Sequence, residues 1–127
     1  MGDEATIKAL YQQLVSAPQY KFPKTRERWT AIPTTEGVYV IRDSEEGVLY
    51  VGRTLGGAKP GPGLRRRIAN HTGVRADWPG HGVADLRGTC TYQFVEVDNP
   101  RQRALLEALA TGLLCPRRLG VGSRDID

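Results

Sequence analysis

Residues 37–52 read GVYVIRDSEEGVLYVG, and this stretch contains two short runs that are separated by a polar turn. The runs, 37–42 and 48–52, are rich in β-branched and aromatic residues, which is typical of strands, and the DSEEG between them is typical of a hairpin connection. A register in which Tyr39 lies opposite Tyr50 closes this hairpin with a loop of common length. The stretch therefore predicts an antiparallel hairpin in that register.

This register divides the side chains between two faces, because successive residues of a strand point to opposite sides. One face is purely aliphatic and suits a core: Val38, Val40, Leu49 and Val51. The other face carries two phenols: Tyr39, Ile41, Val48 and Tyr50. A core accepts paired phenols only when both hydroxyls find partners. The two tyrosines are therefore either half-buried sheet aromatics with hydroxyls in water or parts of a site.

The N-terminal region predicts one helix and a connector. Residues 4–16 place apolar side chains at the spacing of an amphipathic helix, namely Ile7, Leu10, Tyr11, Leu14 and Val15. Pro18 ends this pattern, and 17–35 is interpreted as an irregular connector. We expect the helix to dock on the rest of the chain through its apolar face.

The remaining segments predict two helices and a third strand. Residues 64–71, LRRRIANH, are typical of a helix, and the alternating segment 89–97 is typical of a strand. Asn99 and Pro100 predict the N-cap and first residue of a helix that extends to about Leu114. Together the elements predict an α+β fold, with a small three-stranded antiparallel sheet flanked by helices and an extra N-terminal helix.

Composition favours one compact unit, with 1–35 as the N-terminal helix and connector and 36–127 as the main domain. The hydrophobic fraction of 39% argues against disorder. Cys90 and Cys115 are too few for a disulfide framework and lack metal-ligand spacing, so we expect reduced thiols in a cytoplasmic protein. No apolar run approaches the roughly 20 residues that span a bilayer, and no membrane partner is expected.

Positive charge is concentrated in one part of the chain. The net charge is +4, and the segment from Arg53 to Arg75 contains six cationic residues and no acidic residue: Arg53, Lys59, Arg65, Arg66, Arg67 and Arg75. Such a segment suits a phosphate backbone, although a solvated helix face followed by a loop has the same composition. Charge alone leaves both interpretations open.

The order of four elements resembles the GIY-YIG nuclease domain family. Gly37-Val38-Tyr39 corresponds to the first family triplet and Tyr50-Val51-Gly52 to the second. The helical pattern of the family is matched by Leu64, Arg67, Ile68 and His71, and its metal-binding glutamate by Glu107. The resemblance covers roughly residues 36–116. It implies a GIY-YIG-like α+β domain that hydrolyses phosphodiester bonds in DNA, single- or double-stranded, with one Mg²⁺ or Mn²⁺.

The resemblance also implies a role for each catalytic residue. Tyr39, or a water that it orders, would help to deprotonate the attacking water, and as a base its pKa would have to fall from about 10. Arg67 and Tyr50 would hold the scissile phosphate, His71 would assist proton transfer, and Glu107 would bind the metal. We expect a further set of cations to bind nucleic acid: Arg53, Lys59, Arg65, Arg66, Arg75, Arg117 and Arg118.

The chain departs from the family pattern near its end. Family members commonly carry an asparagine a few residues after the proline that follows the glutamate helix, and Leu119 stands at that place here. An alternative is therefore a nucleic-acid-binding module with a degenerate site. Glu107 also has a plain structural interpretation as a surface glutamate paired with Arg103 at i−4. The N-terminal helix and the loops at 55–63 and 73–88 are expected to shape the substrate groove or an oligomer interface.

Overall fold

A computed structural model describes residues 2–22, 32–43, 47–56, 63–70 and 90–117. The elements in chain order are α1 (Gly2–Ser16), β1 (Tyr20–Lys21), β2 (Gly37–Arg42), β3 (Val48–Arg53), α2 (Gly63–Asn70), β4 (Thr91–Glu96) and α3 (Pro100–Leu114). The strands form an antiparallel sheet in the order β1-β4-β2-β3. The α+β class is confirmed. No helix within these residues has the length and apolar character to cross a membrane.

The prediction of a three-stranded sheet is wrong, because the described residues form four strands. The additional strand, β1, lies in the segment that was interpreted as an irregular connector, and it pairs Tyr20 with Tyr92 and Lys21 with Thr91. A strand of two residues is too short to show the alternation of apolar and polar side chains, so β1 is recognised only by its pairing with β4.

The predicted hairpin register is also wrong. Tyr39 lies opposite Gly52 rather than Tyr50, and Tyr50 lies opposite Ile41. The physical reason is space, since glycine leaves room for a tyrosine ring that a second tyrosine would fill. A shift of two residues keeps both phenols on one face, because side chains alternate with a period of two.

A bulge between Ile41 and Arg42 changes the faces of two residues near the turn. Val48 packs with the aliphatic side chains and Leu49 with the aromatic ones, which is the reverse of the prediction. The turn itself is held by Asp43, whose backbone N–H donates to the Gly47 carbonyl and whose Oδ1 accepts from the Gly47 N–H. The extra residue of a bulge is a feature that strict alternation does not predict.

The sheet has a buried core on each side. The aliphatic face is covered by α1 and α3 and comprises Ile7, Leu14, Val38, Val40, Val51, Val97, Leu106 and Ala110. The aromatic face includes residues of α2 and comprises Phe22, Ile32, Tyr39, Ile41, Tyr50, Leu64, Ile68, Cys90 and Tyr92. Both faces of the central strand β2 are therefore buried, and α2 and α3 lie on opposite sides of it.

Specific contacts fix the helix that carries Arg67. The N–H groups of Leu64 and Arg65 donate to the carbonyls of Thr35 and Pro33, so the first turn of α2 is capped by backbone. Gly63 has a φ of +53° and approaches that connector so closely that a Cβ would lie 2.3 Å from the carbonyl oxygen of Thr35. These contacts set the position of α2 over the aromatic face.

The predicted start of the last helix is confirmed. The side chain of Asn99 accepts a hydrogen bond from the Gln102 N–H, and Pro100 follows it as the first residue of α3. Both cysteines are free, with Cys90 buried and Cys115 exposed. The last helix thus begins where local capping rules place it.

Candidate active site

The two glycines of the triplets provide space at the site. A Cβ at Gly52 would lie 2.6 Å from the Cζ and the hydroxyl oxygen of Tyr39, and 2.6 Å from a ring carbon of Tyr50. A Cβ at Gly37 would lie 2.2 Å from the Val95 carbonyl oxygen and 2.9 Å from a methyl carbon of Leu64. Tyr39 therefore lies across Gly52, so that its hydroxyl is at β3, which is an outer strand of the described sheet.

Tyr39 and Tyr50 form a buried pair. Their side chains are 0% and 4% exposed, and their ring centroids are 6.0 Å apart with an angle of 35° between the planes. The interpretation of half-buried aromatics with hydroxyls in water is contradicted by this burial. Two buried phenols require polar partners, and one partner comes from α2.

Arg67 of α2 is that partner. Its guanidinium is hydrogen-bonded to the hydroxyl of Tyr39. The Arg67 Nε is buried and makes no hydrogen bond to the described part of the chain, although an arginine fork has donors enough for two acceptors. The arginine thus lies beside the phenols with an unsatisfied donor, and its planar fork can bind two oxygens of one anion.

The pKa of Tyr39 is affected by three other predicted catalytic residues. Burial raises the pKa of the Tyr39 phenol well above 10, and the neighbouring Tyr50 raises it further. The positive charge and hydrogen bond of Arg67 lower this pKa, and the negative charge of Glu107 raises it. Tyr50, Arg67 and Glu107 therefore all act on Tyr39. The lowered pKa that a base role would require is contradicted, because burial outweighs the positive charge of Arg67 and keeps Tyr39 a neutral phenol.

Glu107 belongs to α3, on the other side of the sheet, and is held by an arginine of β3. Nη1 of Arg53 donates to Oε1 of Glu107 in an ion pair whose side chains are 33% and 24% exposed. Because β3 is an outer strand, groups from the two sides of the sheet can approach each other around its edge. This geometry explains how Glu107 influences a phenol that lies on the opposite face.

The predicted structural partner of Glu107, Arg103, has another role. Arg103 is 4% exposed and donates to the carbonyls of Thr54, Val97 and Asp98. The pairing of Glu107 with Arg103 is therefore wrong, because the buried guanidinium is committed to backbone oxygens. Sequence reasoning missed this role, since an arginine four residues before a glutamate has the usual pattern of a surface ion pair.

Thr54 is a second buried contributor that the sequence did not reveal. Its Oγ1 accepts from the Gly37 N–H at 3.0 Å, and its own N–H donates to the Gly37 carbonyl at 3.0 Å. Its carbonyl accepts from Arg103. The hairpin end that carries both glycine triplets is thereby tied to the first turn of α3, which places β3 and Glu107 in a defined relation.

The expected nucleic-acid-binding cations are distributed among several environments. Arg66 is exposed on α2, whereas Nε of Arg65 donates to the Ile32 carbonyl and so supports the connector. Arg117 forms an ion pair with Asp43. The other expected residues lie outside the described ranges, namely the nucleic-acid-binding Lys59, Arg75 and Arg118, the catalytic His71, and Leu119 at the place of the family asparagine.

Glu107 supplies a hard carboxylate oxygen of the kind that a divalent cation such as Mg²⁺ prefers. The described residues hold no group of three or more histidine, cysteine or acidic side chains that would form a protein-only cage. Mg²⁺ is often held by one or two carboxylates, with waters and substrate phosphates as its other ligands. Glu107 is a partly exposed carboxylate, and it fits that pattern. Glu107 is therefore the residue that would hold such an ion.

No protein-family model matches this chain, and no curated protein matches it significantly.

Proposed function

We propose that this protein is a divalent-metal-dependent DNA endonuclease that uses Tyr39, Tyr50, Arg67, His71 and Glu107. One observation carries the proposal: the phenol of Tyr39 accepts a hydrogen bond from Arg67 and is close enough to Glu107 to feel its charge. These three residues come from β2, α2 and α3, so only the folded chain brings them together.

The buried residues have distinct tasks in the proposed reaction. Arg67 uses its planar fork to hold the scissile phosphate, and Tyr50 borders the same space. Tyr39 is neutral near neutral pH because its pKa is raised, so it orders a water or phosphate oxygen by hydrogen bonding. Mg²⁺ or Mn²⁺, when bound, would stabilise charge on the leaving oxygen. His71 would assist proton transfer.

A cleavage assay tests the proposal. Plasmid DNA and labelled single-stranded DNA are incubated with the protein and Mg²⁺ or Mn²⁺, and products are separated on denaturing gels. We expect Glu107→Ala and Tyr39→Phe each to lower the cleavage rate by about a hundredfold or more, since each removes a group at the reacting phosphate. Chelation of the metal is expected to stop cleavage.

A matched control separates chemistry from folding. Glu4 lies in α1 with an exposed side chain that pairs with Lys8, so Glu4→Ala removes one carboxylate far from the proposed chemistry. We expect this variant to cleave at the rate of the parent protein. Equal cleavage by Glu107→Ala and Glu4→Ala would refute the proposed role of Glu107, provided that both unfold at similar denaturant concentrations.

The second candidate function is a nucleic-acid-binding module without cleavage. The observation that favours it is the ion pair between Arg53 and Glu107, which neutralises the carboxylate that a metal would need. Under this alternative the protein retains labelled DNA in a mobility-shift assay, yet the DNA stays intact with either metal. Glu107→Ala would then leave DNA affinity unchanged.

A further inference from the structure

The ion pair between Arg53 and Glu107 occupies the carboxylate that a metal ion would need. Arg53 directly follows Gly52, across which the hydroxyl of Tyr39 lies. Glu107 is at the same time near enough to raise the pKa of that phenol. Arg53 lies opposite Val38, so its side chain is on the aliphatic side of β3, while the Tyr39 hydroxyl reaches the same outer strand from the aromatic side. The ion pair therefore borders the candidate active site at β3.

The arginine and the carboxylate are both partly exposed, with side-chain exposures of 33% and 24%. Ion pairs that solvent can reach are weak and exchange with solvent ions. Arg103, which lies four residues before Glu107 on the same helix, is buried and bound to backbone carbonyls. Arg53 can therefore dissociate from Glu107, whereas Arg103 is held in place by its bonds to backbone carbonyls.

A divalent cation at Glu107 would compete directly with this guanidinium. A dication and a guanidinium that share one carboxylate repel each other, so metal binding weakens the ion pair between Glu107 and Arg53. The guanidinium has a long aliphatic stem and sits on an outer strand, so its head group can move while the strand stays paired. A DNA phosphate is a suitable new partner for it.

We propose that Arg53 is a counter-ion that occupies Glu107 until a divalent metal replaces it, and that the displaced guanidinium then binds a phosphate of the DNA substrate. This inference rests on the proposed function, because it takes Glu107 as the metal ligand. It makes metal binding and DNA binding mutually favourable, since each removes an obstacle to the other. Arg53 is thus a positioning residue that couples two ligands of the site.

A metal titration without DNA gives the first test. Mn²⁺ binding is followed by electron paramagnetic resonance of the free ion for the parent protein and for Arg53→Gln, Arg53→Lys and Glu107→Gln. We expect Arg53→Gln to bind Mn²⁺ about fivefold more tightly, because it removes a competing charge. Arg53→Lys keeps the charge and is expected to stay near the parent affinity, and Glu107→Gln is expected to abolish the site.

A DNA titration with and without metal gives the second test. Fluorescence anisotropy reports the affinity for a labelled phosphorothioate oligonucleotide, which is checked to be intact afterwards. We expect Arg53→Gln to weaken DNA binding about threefold to tenfold in Mn²⁺ and to leave it unchanged in EDTA, where Glu107 already neutralises Arg53. Arg66→Gln is the matched control, because Arg66 is exposed on α2 and should weaken DNA binding equally in both conditions.

The outcomes distinguish the inference from the proposed function. If Glu107→Gln abolishes Mn²⁺ binding but Arg53→Gln does not tighten it, the counter-ion role is overturned and the metal site stands. If Glu107→Gln binds Mn²⁺ as the parent protein does, both the metal site and the counter-ion role are overturned. A loss of DNA affinity in Arg53→Gln that is equal in Mn²⁺ and EDTA would overturn the coupling.

Discussion

The aliphatic and aromatic faces of the sheet are equally buried, yet they differ in what their side chains require. Leu106 and Val40 on the aliphatic face need only contact with other apolar atoms. Tyr39 and Tyr50 on the aromatic face bring hydroxyls into the interior, which must be given polar partners. Buried phenols depend on particular neighbours, whereas aliphatic side chains depend mainly on volume. The aliphatic face has one such polar exception in buried Gln93, whose amide is hydrogen-bonded to Arg42 and to the Ala17 carbonyl.

The two faces also differ in their relation to the candidate active site. The aromatic face contains the phenols and contacts Arg67. The aliphatic face is covered by α3, the helix that carries Glu107. The faces meet at β3, where Gly52 admits the Tyr39 ring and Arg53 holds Glu107. The site therefore lies where the aliphatic face adjoins the aromatic face. Substitutions on the aliphatic face should therefore lower stability most, and substitutions of the phenols should lower the cleavage rate most.

The largest expected effect is a loss of stability from the aliphatic face. Leu106 is fully buried in this core, so Leu106→Ala should lower the free energy of unfolding by about 3 kcal/mol through lost burial and a cavity. Urea denaturation measures the loss, and Leu109→Ala is the control because Leu109 is only partly buried. The comparison fails if the folded Leu106→Ala protein loses more cleavage rate than Tyr39→Phe.

A smaller effect is expected from alkaline titration of the aromatic face. Burial, with a smaller contribution from Tyr20, raises the pKa of Tyr92 to about 12. The folded state holds this proton when the unfolded chain, with a pKa near 10, has lost it. The contribution of the protonated Tyr92 phenol to stability is therefore complete below pH 10. As the pH rises towards 12, the free energy of unfolding falls by about 2 kcal/mol.

Urea denaturation between pH 9 and pH 12 measures this loss. Tyr92→Phe removes the titrating group and should flatten the decline, although Tyr39, whose pKa is also raised, keeps part of it. An identical slope for the parent protein and Tyr92→Phe would show that the Tyr92 hydroxyl does not carry the effect.

The smallest of the three effects concerns Gly52, where the two faces meet. A methyl group at this position would lie 2.6 Å from atoms of Tyr39 and Tyr50, so both rings must move in Gly52→Ala. We expect a loss of about 1 to 2 kcal/mol in unfolding free energy, and a cleavage rate that falls more than stability alone explains. Denaturation and cleavage assays on the same preparation measure the two quantities.

The control for this substitution is another glycine. Gly112 lies in α3, and a Cβ there meets no atom within 4 Å. Gly112→Ala should raise the free energy of unfolding by up to about 1 kcal/mol, because alanine favours a helix over the unfolded chain. Similar destabilisation of both variants would mean that contact with the tyrosine rings is not the cause at Gly52.

Sequence patterns predicted most of the elements, because their signals are local. The strand at 37–42 coincides with β2, and capping at Asn99 correctly marked the start of α3. The faces of Tyr39 and Tyr50 were also assigned correctly relative to each other. Strand alternation and helix capping each depend on a few neighbouring residues, and so they are visible in a single chain.

The register and the ion pairs were not predictable in the same way. The hairpin is shifted because Gly52 gives room to a ring from the neighbouring strand, and a bulge then exchanges Val48 and Leu49. Arg103 turned inward to backbone carbonyls, which left Glu107 to Arg53. Each of these choices depends on atoms that are distant in sequence, and no local pattern records them.

The sequence by itself determined the alternation and the caps, and with them the α+β class, since these are properties of a chain with its nearest neighbours. Only the tertiary structure decided that Tyr39, Arg67 and Glu107 interact and that Arg53 holds the carboxylate. The physical reason is that hydrogen bonds and ion pairs act over a few ångströms in space. Folding must place β2, α2 and α3 together before such short-range forces can choose their partners.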